Sequence, residues 1–239
     1  MVAARRCFQL TNAYVYTAEE VLLIERGFSG LSSEDMYRFW GAIKDGEWSD
    51  LKGRIKTHYI LVQDYTCPYC LQRMQVDHKG MWDAEHIIPR RSHPHFTFEA
   101  ENLCVSCKDC NGEKSNKAVT KSSVKNKFSR DESDYLIVHP HFDKYSDHIK
   151  VVAPAGFYLP RTDKGRALVE VCGLLRFVFQ YADYGFASAE VKAQMADLNF
   201  QLQESVDSLE QSFVLDCIQE LAARAKDAMR KDSLKSLMS

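Results

Sequence analysis

The chain has no run of about 18 apolar residues, so no membrane-spanning helix is expected. It also lacks a strong charge of either sign. With 31 Lys and Arg against 33 Asp and Glu the net charge is −2, which excludes a molecule that coats nucleic acid over its whole surface. The opening MVAARRCFQL has no continuous apolar stretch with a small-residue cleavage site, so no secretory signal is expected. A reducing, cytoplasmic compartment is the simplest expectation, and disulfides are not. There is no internal repeat and no low-complexity linker. What remains is a soluble globular composition, 45% hydrophobic and 27% charged, in 239 residues, enough for one or two domains.

Four of the eight cysteines form two C-x-x-C units, Cys67-Pro-Tyr-Cys70 and Cys107-Lys-Asp-Cys110. Each short turn delivers two thiolates with little strain, and four thiolates make a structural zinc site. A redox dithiol needs one pair beside a βαβ pattern, which is missing here. Cys104, Cys107 and Cys110 are spaced by threes, so Cys104 could replace Cys107 in another register; matched spacing with 67/70 favours the 107/110 pair. A zinc ion would pin together a segment too short to hold a catalytic geometry by its own core.

Three segments are expected. Residues 1–62 read as mainly helical. Ser32-Ser-Glu-Asp35 has the composition of a helix start, Met36, Phe39, Trp40 and Ile43 recur at helical spacing, and Trp48, Leu51, Ile55, Tyr59 and Val62 form a second packing stripe. Residues 63–130 carry the motifs, with a short strand over 82–88, a loop over 90–99 and a helix over 109–119. Residues 131–239 read as mainly helical, with short strands at Tyr135–Val138 and His148–Ala153, a helix over 165–181, and an apolar repeat from Val191 to Ala225 that forms one long helix or a helical pair before a frayed tail from Lys231. The length of that repeat leaves room for a partner helix. His139, His141, Asp143, Asp147 and His148 suit turns and strand ends better than a second metal site.

Between the cysteine pairs lie Asp83-Ala-Glu85-His86, then Asn102-Leu103, and Asn111 abuts Cys110. Phosphodiester hydrolysis needs an activated water, charge compensation at the phosphate and help for the leaving oxygen. A histidine titrating near neutrality can take the proton of water, and a hard divalent cation held by oxygen ligands can do the rest. His86 is the candidate base. Glu85 and Asn111 offer a carboxylate and an amide oxygen. On a strand Glu85 and His86 point to opposite faces, so a bend or strand edge is needed to bring both to one site. Arg90 and Arg91, just after the strand, and Lys114 and Lys117 are candidate phosphate contacts. From Lys108 to Arg130 seven basic residues face two acids, a local basic stripe. Asp83 is expected to be exposed, His93 and His95 to face solvent, and Tyr65 and Tyr69 to pack.

The succession C-x-x-C, acid–His, Asn-Leu, C-x-x-C-Asn-x-x-Lys, carried by Cys67, Cys70, Glu85, His86, Asn102, Leu103, Cys107, Cys110, Asn111 and Lys114, resembles the zinc-bearing branch of the HNH endonuclease family. The resemblance covers about 50 residues. It implies an α+β fold: a small zinc-stapled ββα-metal nuclease core flanked by N-terminal and C-terminal helical segments. It implies His86 as general base, Glu85 and Asn111 as ligands of a catalytic Mg²⁺ or Mn²⁺, Asn102 as the residue orienting the histidine-bearing loop, and DNA as the preferred substrate, cut to leave 5′-phosphate and 3′-hydroxyl ends. The acid is glutamate where the family more often has aspartate. Downstream, Asp134–Asp143, Asp147-His148, Lys164-Gly165-Arg166 and Leu174-Leu-Arg176 resemble HNH effector subunits of bacterial anti-phage systems of the Septu and retron type, which implies an ATPase partner subunit. The alternatives are an RNA- or tRNA-directed nuclease on the same core, and a zinc ribbon that only binds nucleic acid or protein.

Overall fold

The structure is a computed structural model that describes residues 8–75, 79–121, 126–152, 157–177, 189–221 and 223. The chain divides into two compact units, Met1–Tyr145 and Ser146–Ser239. The expected segment boundaries at 62/63 and 130/131 do not coincide with that division.

The first unit begins with three helices. α1 (Ala18–Gly27) starts in a capping box: Thr17 Oγ accepts from the Glu20 backbone N–H, and Glu20 returns a carboxylate to the Thr17 N–H. α2 (Ser33–Ala42) starts at Ser32, whose hydroxyl accepts from the Asp35 N–H at 3.2 Å, as the sequence pattern predicts. α3 (Gly46–Val62) buries Leu51, Ile55 and Tyr59, spaced by four and each at 0% exposure. That face lies on strands β1 (Trp82–His86) and β2 (Leu103–Cys107). Burying each such side chain contributes about 1.5–3 kcal/mol. At the end of α3, Gln63 is stapled to β2: its Nε2 donates to the Val105 carbonyl at 2.7 Å and its Oε1 accepts from the Val105 N–H at 2.8 Å. Asp64 and Tyr65 then take positive φ angles of 45° and 54°, turning the chain into the first cysteine pair.

β1 and β2 are antiparallel, in register from Trp82↔Cys107 to His86↔Leu103. α4 (Lys108–Lys114) follows β2 without a loop and stops at Ser115, where φ is 45°. It is shorter than the 109–119 expected. Phe28, Phe39, Trp40, Trp48 and Phe98 make edge-to-face or tilted contacts with centroids 4.7–6.2 Å apart. They hold α2 to the turn at 94–98. Gly27 is forced by this packing, because a Cβ there would sit 2.5 Å from the Trp48 ring. Tyr135–Val138 is not a strand. Among the described residues it makes one isolated β-bridge, Thr120↔Tyr135, while Ile137 and Val138 are buried in the core.

In the second unit β3 (Ile149–Val152) pairs antiparallel with β4 (Phe157–Pro160), a strand with no clear sequence signal. α5 (Asp163–Val171) starts at Thr162, and Gly165 lets it approach so closely that a Cβ would meet the His148 carbonyl oxygen at 2.0 Å. The long apolar repeat is a pair, α6 (Ala189–Glu204) and a helix over 208–221. Their shared core is Leu198, Val214, Cys217 and Leu221, with Leu159 from β4. The helix expected over 165–181 ends as α5 at Val171; residues 178–181, Ala225 and the tail from Lys231 lie outside the described residues. Among the described residues no helix is long and apolar enough to cross a membrane.

Candidate functional site

The two cysteine turns meet. Sγ atoms of Cys67, Cys70, Cys107 and Cys110 all lie within 4.8 Å of one another, and all four residues are buried. Cys70 and Cys107 sulfurs are 3.9 Å apart. A tetrahedral site with metal–sulfur bonds of about 2.3 Å has edges of about 3.8 Å, so the cluster fits a zinc ion. Cys107 ends β2 and caps α4, its sulfur accepting from the Cys110 N–H at 3.4 Å. The neighbouring thiols, Cys110 first and then Cys67 and Cys70, hold the Cys107 thiol well below the usual cysteine range. Cys104 is not in the cluster. It sits across the sheet from Glu85, which selects the 107/110 register.

Beside the cluster is a cleft of about 340 Å³ lined by Glu85 and His86 from β1, Asn111 from α4, Tyr37 and Trp40 from α2, and Arg90. Adjacent strand residues reach one cleft because His86 is the last residue of β1, where the chain leaves the sheet. The His86 ring is buried, 4.9 Å edge-on to Trp40. Its Nε2 lies 3.1 Å from the Thr97 carbonyl oxygen. A carbonyl only accepts, so Nε2 carries the hydrogen and Nδ1 keeps its lone pair. Burial, then the nearby Arg90 charge, pushes the imidazole well below the ordinary histidine range, which keeps it neutral.

Glu85 is buried, and burial raises its carboxyl above the usual range, opposed by Lys114. Lys114 Nζ is 2.6 Å from Glu85 Oε1, with side-chain exposures of 1% and 8%. The ammonium sits between two acceptors, the Glu85 carboxylate and the His86 carbonyl oxygen, to which it donates at 3.0 Å. A buried carboxylate and a side-chain amide lining one cleft are the donor chemistry that suits a hard divalent cation.

Lys114 is thus not placed to touch a phosphate. It faces inward because the three-residue spacing from Asn111 puts both on the face of α4 that meets β1. Asp83, expected to be exposed, is half-buried and accepts from Asn111 Nδ2 at 2.8 Å. Asn102 is fully buried and away from the cleft lining. Its Oδ1 accepts from the Ile88 N–H at 2.7 Å, and its Nδ2 donates to the Ile88 and Phe96 carbonyls at 3.3 and 3.2 Å. It clamps the loop that follows His86. Arg90 donates to the Tyr37 carbonyl, and the Arg90 and Arg91 guanidinium carbons lie 5.6 and 4.9 Å from the Tyr37 ring centre. Arg91 is exposed, 3.6 Å from Glu34. Lys117 is exposed, one residue beyond the cleft-lining Asn116. His93 is stacked on Phe96 at 5.4 Å and His95 is exposed; Tyr69 is buried. His141 Nε2 lies 2.9 Å from the Leu103 carbonyl, and the His139 N–H donates to Asp143, which is turn chemistry.

Sequence reasoning missed Tyr37 and Trp40 as cleft walls, and Thr97 and Asp83 as the partners that hold His86 and Asn111. Only Asp83 carried a signal: two positions before Glu85 on a strand, it shares that residue's face. Volume alone would mislead. A larger hollow of about 660 Å³, lined by α1, α3 and Thr17, holds only carboxylates and arginines as ionisable groups.

No family model matches the chain, and no solved structure does. It is similar to the Septu protein PtuB of Bacillus thuringiensis, with 30% identity over 124 residues, 52% of this chain and 42% of that relative. The chain therefore spans less than half the length of the curated relative it matches.

Proposed function

We propose that the chain is a metal-dependent HNH endonuclease with a ββα-metal core, hydrolysing phosphodiester bonds of DNA as an effector in bacterial anti-phage defence. The observation that carries this is one cleft lined by Glu85, His86 and Asn111 beside a closed four-thiol cluster. Glu85 and Asn111 would hold Mg²⁺ or Mn²⁺ through carboxylate and amide oxygens. When bound, such an ion supplies charge compensation at the phosphate and at the leaving oxygen. His86 takes a proton from the attacking water at Nδ1, the tautomer being set by the Thr97 carbonyl. Asn102 holds the loop behind His86. Trp40 excludes water from one side of the imidazole. Arg90 and Arg91 stand at the cleft for the flanking phosphates. The zinc-type cluster fixes β2 to α4 and takes no part in the chemistry. Similarity to a Septu protein supports the defence role and a partner subunit, which on this reading is an ATPase.

The test compares wild type with His86→Ala on plasmid DNA and on transcripts, with Mg²⁺, Mn²⁺ or chelator, with and without an ATPase partner subunit. Plasmid cleavage should fall by about 10²–10⁴-fold in the variant, the usual worth of a general base, while melting temperature and zinc content stay put. Equal cleavage by both proteins refutes the assignment. Cleavage of transcripts alone moves the substrate to RNA.

A further inference from the structure

We propose, building on the nuclease assignment above, that Asp83 is a positioning residue that fixes which end of the Asn111 side chain faces the metal. Asp83 and Glu85 alternate onto one face of β1. Across that face, α4 brings Asn111 Nδ2 to 2.8 Å from Asp83 Oδ2. The two ends of a carboxamide are nearly equal in shape and opposite in function: one accepts, the other donates. Only the oxygen can bind a cation. An unrestrained amide would present NH₂ to the ion in part of the population, and every such molecule would be short of a ligand.

Asp83 removes that ambiguity. A carboxylate offers no hydrogen, so it can pair only with the amide NH₂, and Oδ1 of Asn111 is turned the other way. The bond is charge-assisted, hence short and strong. It also draws hydrogen density from the amide nitrogen and leaves more negative charge on the oxygen. The arrangement follows a general pattern in which an outer partner orients a metal ligand, and loss of that partner typically costs about 10–100-fold in metal affinity. Asp83 needs no contact with substrate or with the reacting atoms to do this.

The experiment titrates Mn²⁺ into purified full-length protein without substrate, following free Mn²⁺ by electron paramagnetic resonance. Wild type is compared with Asp83→Ala, Asp83→Asn, Asn111→Ala and the Asp83→Ala/Asn111→Ala double variant. A second readout is the Asn111 side-chain NH₂ pair in the ¹H–¹⁵N spectrum of metal-free protein. Asp83→Ala should weaken Mn²⁺ binding about 10–100-fold and shift the NH₂ pair. The double variant should bind no more weakly than Asn111→Ala. Asp83→Asn keeps the shape but offers hydrogens as well as an oxygen, so it should also weaken Mn²⁺ binding, which guards against an Asp83→Ala protein that fails to fold. Equal Mn²⁺ binding by Asp83→Ala and wild type overturns the positioning role and leaves the nuclease assignment standing. A double variant that binds Mn²⁺ clearly more weakly than Asn111→Ala overturns it in favour of direct ligation. If wild type binds no Mn²⁺ and cuts nothing, the nuclease assignment itself falls.

Discussion

The thiol cluster and the cleft are built on the same strand pair and the same short helix, yet they are finished in opposite ways. In the cluster every donor atom faces the other donors, and all four residues are buried. In the cleft each group spends one end on the protein and keeps the other. His86 commits Nε2 to Thr97, Asn111 commits Nδ2 to Asp83, and Glu85 commits Oε1 to Lys114. A closed tetrahedron has nothing left for a substrate, whereas a half-committed set does. Adjacent residues of α4, Cys110 and Asn111, serve the two sites, so the closed one sets the position of the open one.

The strongest way to break this comparison is Cys67→Ser. Structural zinc is worth on the order of 10 kcal/mol, comparable to the whole stability of a domain, about 5–15 kcal/mol. The variant should lose zinc by elemental analysis and lose the cooperative thermal transition of the first unit. Glu85→Gln, at the open site, should keep its zinc and a cooperative transition, at a lower temperature because Lys114 loses its partner. A Cys67→Ser protein that melts like wild type would remove the structural role from the cluster.

Next in size is Lys114→Met. Its ammonium and the Glu85 carboxylate are both nearly fully buried at 2.6 Å. Removing one partner of such a pair leaves a lone buried charge and costs about 3–5 kcal/mol. Urea unfolding should show that loss, and Glu85→Gln added to Lys114→Met should recover most of it, because the lone charge is gone. Absence of recovery would mean that Lys114 acts through its bond to the His86 carbonyl instead.

How much of this was legible beforehand depended on range. The cluster was legible because two C-x-x-C turns carry their geometry locally. The trio Glu85, His86 and Asn111 was legible through the order of its motifs, and α2 and α3 through their apolar stripes and the Ser32 cap. The Lys114–Glu85 and Asp83–Asn111 contacts were not, although strand alternation puts Asp83 with Glu85 and helix spacing puts Asn111 with Lys114. Only the β1–β2–α4 packing sets those two faces against each other. Tyr135–Val138 misled for a related reason: an apolar run buried in a core and a strand look alike without knowledge of a pairing partner. β4 and the walls Tyr37 and Trp40 had no local mark of their own.

The smallest effect expected is at the rim. Tyr37 lies under Arg90 and Arg91, but the two arginines depend on it unequally. Arg90 also donates to the Tyr37 backbone carbonyl, a bond that survives any change of side chain. Arg91, exposed, is held among the described residues by the ring at 4.9 Å and Glu34 at 3.6 Å. An exposed cation–π contact is worth about 0.5–1 kcal/mol, which is about a two- to fivefold change in a binding constant. Tyr37→Ala should therefore raise KM for a short duplex about two- to fivefold, leave kcat alone, and lose its effect in an Arg91→Ala background. Tyr37→Phe keeps the ring and should match wild type. Steady-state cleavage at fixed Mg²⁺ separates the cases. A fall in kcat with KM unchanged would place Tyr37 inside the working cleft with His86 and would redraw the line between rim and centre.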